Sequence, residues 1–223
     1  DGFGVAWYGD RELPGLYRDV LPAWADANLL SLTHQVRARC FLAHVRASTG
    51  GATSRMNCHP FAAGRWTFMH NGQIGGFEKF RRDAEMMIPE ELYSDRKGAT
   101  DSEALFLVAL GEGLDADPCG ALERAAARFI SIAKAKGAAP YLRMTAALSD
   151  GKQLYAVRYS SDEQVPSLYY RYSETRQGMA VVSEPLEDGQ GDWTEIASAS
   201  FSTFDGETVT VEDFRPCRLT LAA

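Results

Sequence analysis

Three stretches of the chain carry residue types suited to handling a carbonyl under nucleophilic attack: Arg46 in HVRASTGG at 44–51, the run HNG at 70–72, and Asp101 in TDSE at 100–103. Asn71 can offer a side-chain N–H and Gly72 a backbone N–H, the pair of donors that a developing oxyanion requires. A carboxylate is best held by the planar fork of an arginine, which makes two parallel hydrogen bonds, and Arg46 is the candidate. An α-ammonium group calls for a full negative charge. Asp101, in the first turn of a helix, would be oriented there and kept ionised by the helix dipole. Each feature has a plainer reading by itself: Asn-Gly is a common hairpin dipeptide, an arginine after a strand usually meets a surface acid, and an aspartate opening a helix complements its dipole. Their combination points to a pocket that clasps both charged ends of an amino-acid head group beside a reacting carbonyl.

A nucleophile is not obvious. Ser48 and Thr49 follow Arg46 closely, yet no base adjoins them, and Thr49 is expected to contact substrate instead. His59 and His70 are expected to be core histidines that position neighbouring loops. With Cys58 and His44 they also raise a zinc reading, but Cys58 and His59 are adjacent and point apart in an extended segment, so no metal is expected. The four cysteines, Cys40, Cys58, Cys119 and Cys217, are irregularly spaced, which argues against a disulfide scaffold and suits a reducing cytoplasm.

The formal charge of −7 is spread along the chain without a basic cluster, so nucleic acid is not an expected partner. No apolar run reaches the ~18 residues of a membrane span, and no membrane association is expected. Gly2-Phe3-Gly4 lacks the further glycine of a dinucleotide fingerprint; these glycines are expected to allow close backbone packing, and no cofactor is expected. The expected partner is a small-molecule substrate, with a homo-oligomer or a separate acceptor subunit left open.

Positioning the candidate residues falls to strands, then helices, then strands again. Apolar runs predict strands over residues 2–8, 40–45 and 66–69, the last leading into a turn at Asn71-Gly72 with positive φ. Leu105 and Val108, then Leu122, Ala125, Ala126, Phe129 and Ala133, follow the helical period and predict two amphipathic helices. Thr100 with Glu103 reads as a capping box that opens the first and places Asp101 in its first turn. From Tyr141 the period becomes two, with Leu142, Met144, Ala146 and Leu148 on one face before a hairpin turn at Asp150-Gly151. Further strands are predicted over 168–172, 179–183, 201–204 and 208–212, with Asp205-Gly206 as another hairpin turn. The order describes an α+β protein, read as one domain over residues 1–223.

These residues carry a resemblance. DGFGVAWYG at the start, LAHVRASTGG, NCHPF at 57–61, WTFMHNGQI at 66–74, TDSEALF at 100–106 and VVSEPL at 181–186 are together similar, in order and spacing, to the class II glutamine amidotransferases. The likeness is strongest to the short stand-alone branch that includes the γ-glutamyl hydrolase of ergothioneine biosynthesis. It implies the N-terminal nucleophile hydrolase fold, a four-layer αββα sandwich of two antiparallel sheets, and hydrolysis of glutamine or another γ-glutamyl amide through a cysteinyl thioester. By motif position Arg46 would bind the substrate carboxylate, Thr49 would assist, Asn71 and Gly72 would form the oxyanion hole, and Asp101 would take the α-ammonium. Ala47 and Gly50 stand where the family carries tryptophan and histidine, which alters the pocket rim. The family's nucleophile is an N-terminal cysteine; residue 1 is Asp, so that cysteine is expected upstream of Asp1. The alternative is a glutamine-binding protein that lacks the nucleophile.

Overall fold

A computed structural model describes residues 2–46, 54–185 and 192–216. Apolar and β-branched runs draw much of the chain into antiparallel strands. β1 (Gly2–Tyr8) lies between β2 (Gly15–Asp19) and β3 (Cys40–Arg46) in a three-stranded sheet. A six-stranded sheet has the order β12-β11-β7-β6-β5-β4, built from β4 (Phe61–Ala63), β5 (Trp66–Gln73), β6 (Arg143–Ser149), β7 (Leu154–Ser160), β11 (Ser200–Asp205) and β12 (Thr208–Asp213). The strands β8 (Tyr169–Ser173), β9 (Gly178–Val182) and β10 (Thr194–Glu195) form a third, smaller sheet. The helices are α1 (Ala27–Gln35), the short α2 (Arg81–Glu85) and α3 (Glu90–Tyr93), then α4 (Asp101–Gly111) and α5 (Pro118–Ala135).

Side-chain alternation gives the six-stranded sheet two apolar faces, and each has a cover. On one face Trp66, Phe68, Val157 and Phe201 pack with Leu105, Phe106, Leu122 and Phe129 of α4 and α5, and the rings of Phe68 and Phe106 stack with centroids 5.4 Å apart. On the other face Ala156 and Phe204 meet Leu168 and Ile196 beside the third sheet, while Met69 meets Ala6, Tyr8 and Leu42 of the first. The two small sheets therefore form a second β layer against the large one, whose outer face α4 and α5 cover, in keeping with the stacked antiparallel sheets of the N-terminal nucleophile hydrolase fold. Tyr8 bolts the layers together: its hydroxyl lies 2.8 Å from the carbonyl oxygens of Arg65 and Ser149 and 2.9 Å from Thr67 Oγ1. Gly4 permits the layers to approach, because a Cβ there would sit 2.2 Å from the carbonyl oxygen of His59.

The structure departs from the sequence reading at α4 and at its cap. The helix is not amphipathic: every residue from 102 to 109 is buried, because α5 packs outside it and the large sheet inside. α5 does show a single buried stripe through Leu122, Ala125, Ala126, Phe129 and Ala133. Only half of the capping box forms, with Thr100 Oγ1 accepting from the N–H of Glu103 at 3.2 Å. The Glu103 carboxylate instead accepts from the N–H groups of Lys97 at 3.1 Å and Gly98 at 2.8 Å and from Arg96 at 2.8 Å, three donors of the turn before α4 that together replace the cap N–H.

Candidate functional site

Between the two β layers a cavity of about 950 Å³ opens, and Arg46, Asn71, Gly72 and Asp101 all line it. They arrive from three elements: Arg46 ends β3, Asn71 and Gly72 lie near the end of β5, and Asp101 is the first residue of α4. Thr49 lies outside the described residues. Val181, Val182, Ser183 and Glu184 form a further wall, and Thr145 and Asn57 contribute polar side chains.

Each of the four residues is held by its element. Arg46 pairs with Gly2 across β1, and its Nη1 is buried with no hydrogen-bond partner among the described residues. Asp101 Oδ1 accepts from the N–H of Ser102 at 2.7 Å and lies 3.0 Å from its hydroxyl, while Oδ2 accepts from the N–H of Ile74 at 3.2 Å. That last bond ties the start of α4 to the segment leaving β5, so one carboxylate sets the distance between helix and strand.

The HNG run is not the positive-φ turn expected from Asn-Gly. Asn71 and Gly72 are strand residues paired with Thr145 and Met144 of β6, and neither has positive φ. Glycine is needed for proximity: a Cβ at 72 would sit 2.1 Å from the carbonyl oxygen of Arg143 and 2.5 Å from His70 Nε2. Asn71 leaves its side chain exposed toward the cavity while its carbonyl accepts from Thr145 Oγ1 at 2.8 Å.

Three histidines lie under this arrangement. The rings of His44 and His59 are 4.5 Å apart, and His59 is also 4.5 Å from Phe61. His70 places Nδ1 2.9 Å from Ser102 Oγ and Nε2 3.1 Å from the carbonyl oxygen of Arg143. Burial disfavours the imidazolium form of all three, lowering His44 to about 4 and His59 well below the usual histidine range; Arg46 pushes both in the same direction. The three are therefore neutral at pH 7, and Arg46 is the cation of the cavity lining among the described residues.

Cys40, Cys58 and Cys119 do not line the cavity, and burial raises all three thiols, Cys119 to about 12. Sequence reading also passed over Ser102, which follows Asp101, and Asn57, whose Oδ1 accepts from the N–H of Ala99 at 2.8 Å and steadies the approach to α4. Asn57 is buried despite its polarity, which a sequence does not reveal.

The profile of the class-II glutamine amidotransferases matches residues 1–170. A solved glutamine aminotransferase class-II domain protein from Silicibacter pomeroyi superposes with a TM-score of 0.88 at 56% identity, covering 96% of this chain and 92% of that one. The probable glutamine amidotransferase DUG3 of Saccharomyces cerevisiae is 33% identical over 94% of this chain and 70% of its own length. The γ-glutamyl-hercynylcysteine sulfoxide hydrolase of Mycolicibacterium smegmatis is 27% identical over 88% of this chain and 74% of its own. A profile match across three-quarters of the sequence, together with a stacked-sheet fold that brings the motif residues to one cavity, makes this chain a member of the class-II glutamine amidotransferases.

Proposed function

We propose that the cavity binds the amino-acid end of a γ-glutamyl amide, with Arg46 on the α-carboxylate and Asp101 on the α-ammonium, and that Asn71 and Gly72 receive the oxyanion. A cysteine thiolate from outside the described residues attacks the γ-carbonyl carbon and forms a C–S bond. The C–N bond then breaks, the nitrogen leaves protonated as ammonia or an amine, and water cleaves the thioester to glutamate. The observation that carries this reading is the convergence on one cavity of a half-buried guanidinium whose Nη1 has no partner among the described residues, a fixed carboxylate and an Asn-Gly pair. Family membership and the γ-glutamyl hydrolase among the relatives support hydrolysis of γ-glutamyl amides. Thr49 is proposed to assist at the substrate carboxylate by its place in the motif.

The second reading, a binder without the nucleophile, rests on the position of Cys40, Cys58 and Cys119 away from the cavity. The test is glutamate release from glutamine and larger γ-glutamyl amides by protein made from the complete coding sequence. Asn71→Ala should reduce kcat on the order of 10²-fold with KM nearly kept, whereas Arg46→Ala and Asp101→Ala should chiefly raise KM. Unchanged turnover in Asn71→Ala rules out the oxyanion assignment. Tight glutamine binding with no glutamate release by the parent protein favours the binder.

A further inference from the structure

Asp101, Ser102 and His70 form a hydrogen-bonded line that holds one proton too few. Ser102 Oγ lies 3.0 Å from Asp101 Oδ1 and 2.9 Å from His70 Nδ1, and both Ser102 and His70 are buried. At the far end His70 Nε2 lies 3.1 Å from the carbonyl oxygen of Arg143. A carbonyl can only accept, so the ring proton resides on Nε2 and Nδ1 of the neutral ring is itself an acceptor. The single hydroxyl proton of Ser102 then faces two acceptors and satisfies one at a time.

With the cavity empty, the carboxylate is the stronger acceptor and takes that proton, leaving Nδ1 against the lone pairs of Oγ. An ammonium group at Asp101 supplies its own N–H donors and neutralises the carboxylate, which frees the hydroxyl to turn toward His70. An imidazole that accepts at Nδ1 is polarised and donates more strongly from Nε2. The bond it strengthens holds the Arg143 carbonyl, the atom that sits 2.1 Å from where a Cβ on Gly72 would be.

We infer that Ser102 and His70 are positioning residues: the Ser102 hydroxyl is a two-position switch that senses an amine at Asp101 and, through His70 and the Arg143 carbonyl, firms the strand at Gly72. The inference rests on the assignment of Asp101 to the α-ammonium, and it gives that contact a consequence at the reacting carbonyl. A substrate with an α-amino group would gain in kcat as well as in KM over one without it.

The experiment uses full-length protein with nitrogen-15-labelled histidine and two probes, L-glutamate and glutarate, which differ only in the ammonium group. Glutamate should move the His70 Nδ1 resonance upfield, as for a ring nitrogen that has gained a donor, and glutarate should leave it in place. In Ser102→Ala, glutamate should still bind and the shift should vanish. For turnover, the kcat advantage of glutamine over glutaramate should collapse toward onefold in Ser102→Ala while the KM advantage persists. If glutamate binds but both probes leave Nδ1 in the same place, the switch is wrong and the binding site stands. If glutarate binds as tightly as glutamate, the Asp101 assignment fails and the switch fails with it. The glutamate and glutarate comparison is made on the unsubstituted protein, so it decides the matter even if Ser102→Ala does not fold.

Discussion

Removing Glu103 should destabilise the protein more than any surface acid would, and by an amount the geometry bounds. Its side chain is 4% exposed and that of Arg96 is 5% exposed, with Arg96 Nη1 2.8 Å from Glu103 Oε2. The same carboxylate accepts from the N–H groups of Lys97 and Gly98. Glu103→Ala leaves a buried guanidinium whose remaining partners are the Thr100 carbonyl at 2.8 Å and Glu85 at 3.3 Å. Breaking a buried pair from one side costs about 3–5 kcal/mol, and each orphaned N–H about 1–3 kcal/mol. These do not simply add: Lys97 is exposed, so its N–H can turn to water, and Glu85 retains part of the counter-charge. The expected loss is therefore about 3–4 kcal/mol.

Urea unfolding at pH 7 measures it, with the m-value checked for constancy so that a midpoint shift reports stability. The double variant Arg96→Met with Glu103→Met separates the terms. It leaves no unpaired charge at the pair itself, so its cost should fall below the sum of the single substitutions by about 2 kcal/mol or more, though the N–H groups of Lys97 and Gly98 stay unsatisfied. A loss below about 1 kcal/mol in Glu103→Ala, or strict additivity in the double variant, would show that the pair does not hold the turn before α4 as argued.

Two further outcomes are expected. His44 is lowered to about 4, so between pH 6.5 and 4 the unfolded chain binds a proton that the folded chain refuses; stability is complete above pH 6.5 and is lost as pH falls, by about 2 kcal/mol at pH 5 from this group. Urea midpoints at pH 7.5 and 5 read this loss, and His44→Gln should reduce the difference; a flat profile contradicts the burial argument. Gly72→Ala should both destabilise the protein and lower kcat, because the added methyl must displace the Arg143 carbonyl, whereas Gly113→Ala, with open space around it but φ of +98°, should cost stability alone. Equal kcat values for the two alanine variants contradict the proposed role of position 72.

Local signals in the sequence mark β1 and β3 as apolar runs, β11 and β12 by the Asp205-Gly206 turn between them, and α5 by its helical period. What escaped was non-local. α1 buries no side chain, so it leaves no apolar stripe to read. β2 buries only Asp19, whose Oδ1 accepts from the N–H of Val20 at 2.6 Å, and a buried acid does not mark a strand in a sequence. The sequence marks α4 as a helix, but its expected amphipathicity is absent, since burial on every side replaces periodicity with a nearly continuous apolar run. The local preference of the Asn71-Gly72 pair is for a turn; pairing with β6, more than seventy residues later, holds it extended. Arg46, Asn71, Gly72 and Asp101 are legible in the sequence as types suited to one chemistry, and the fold brings them to one cavity. Ser102 was invisible because its significance lies in standing between Asp101 and His70, a relation set only when β5 and α4 pack.

The neutral histidines explain how the cavity can hold a guanidinium ready for a ligand. Taking Arg46 partly out of water costs free energy that no described anion returns, so the fold must supply it from elsewhere. Were His44 or His59 protonated, their charges would add to that of Arg46 in the same cavity lining; burial prevents this, and Arg46 in turn disfavours their protonation. Asp101, meanwhile, is already held by two backbone N–H groups and cannot collapse onto the arginine without releasing the start of α4 and the end of β5. The cation and the anion are thus kept apart by the backbone that carries them. Under the proposed function, a ligand bearing both a carboxylate and an ammonium group would satisfy the two at once, whereas a simple anion would satisfy only the arginine and leave Asp101 to its helix. On the proposed assignment, selectivity for an amino-acid head group would rest on the separation of the two charges as much as on their presence.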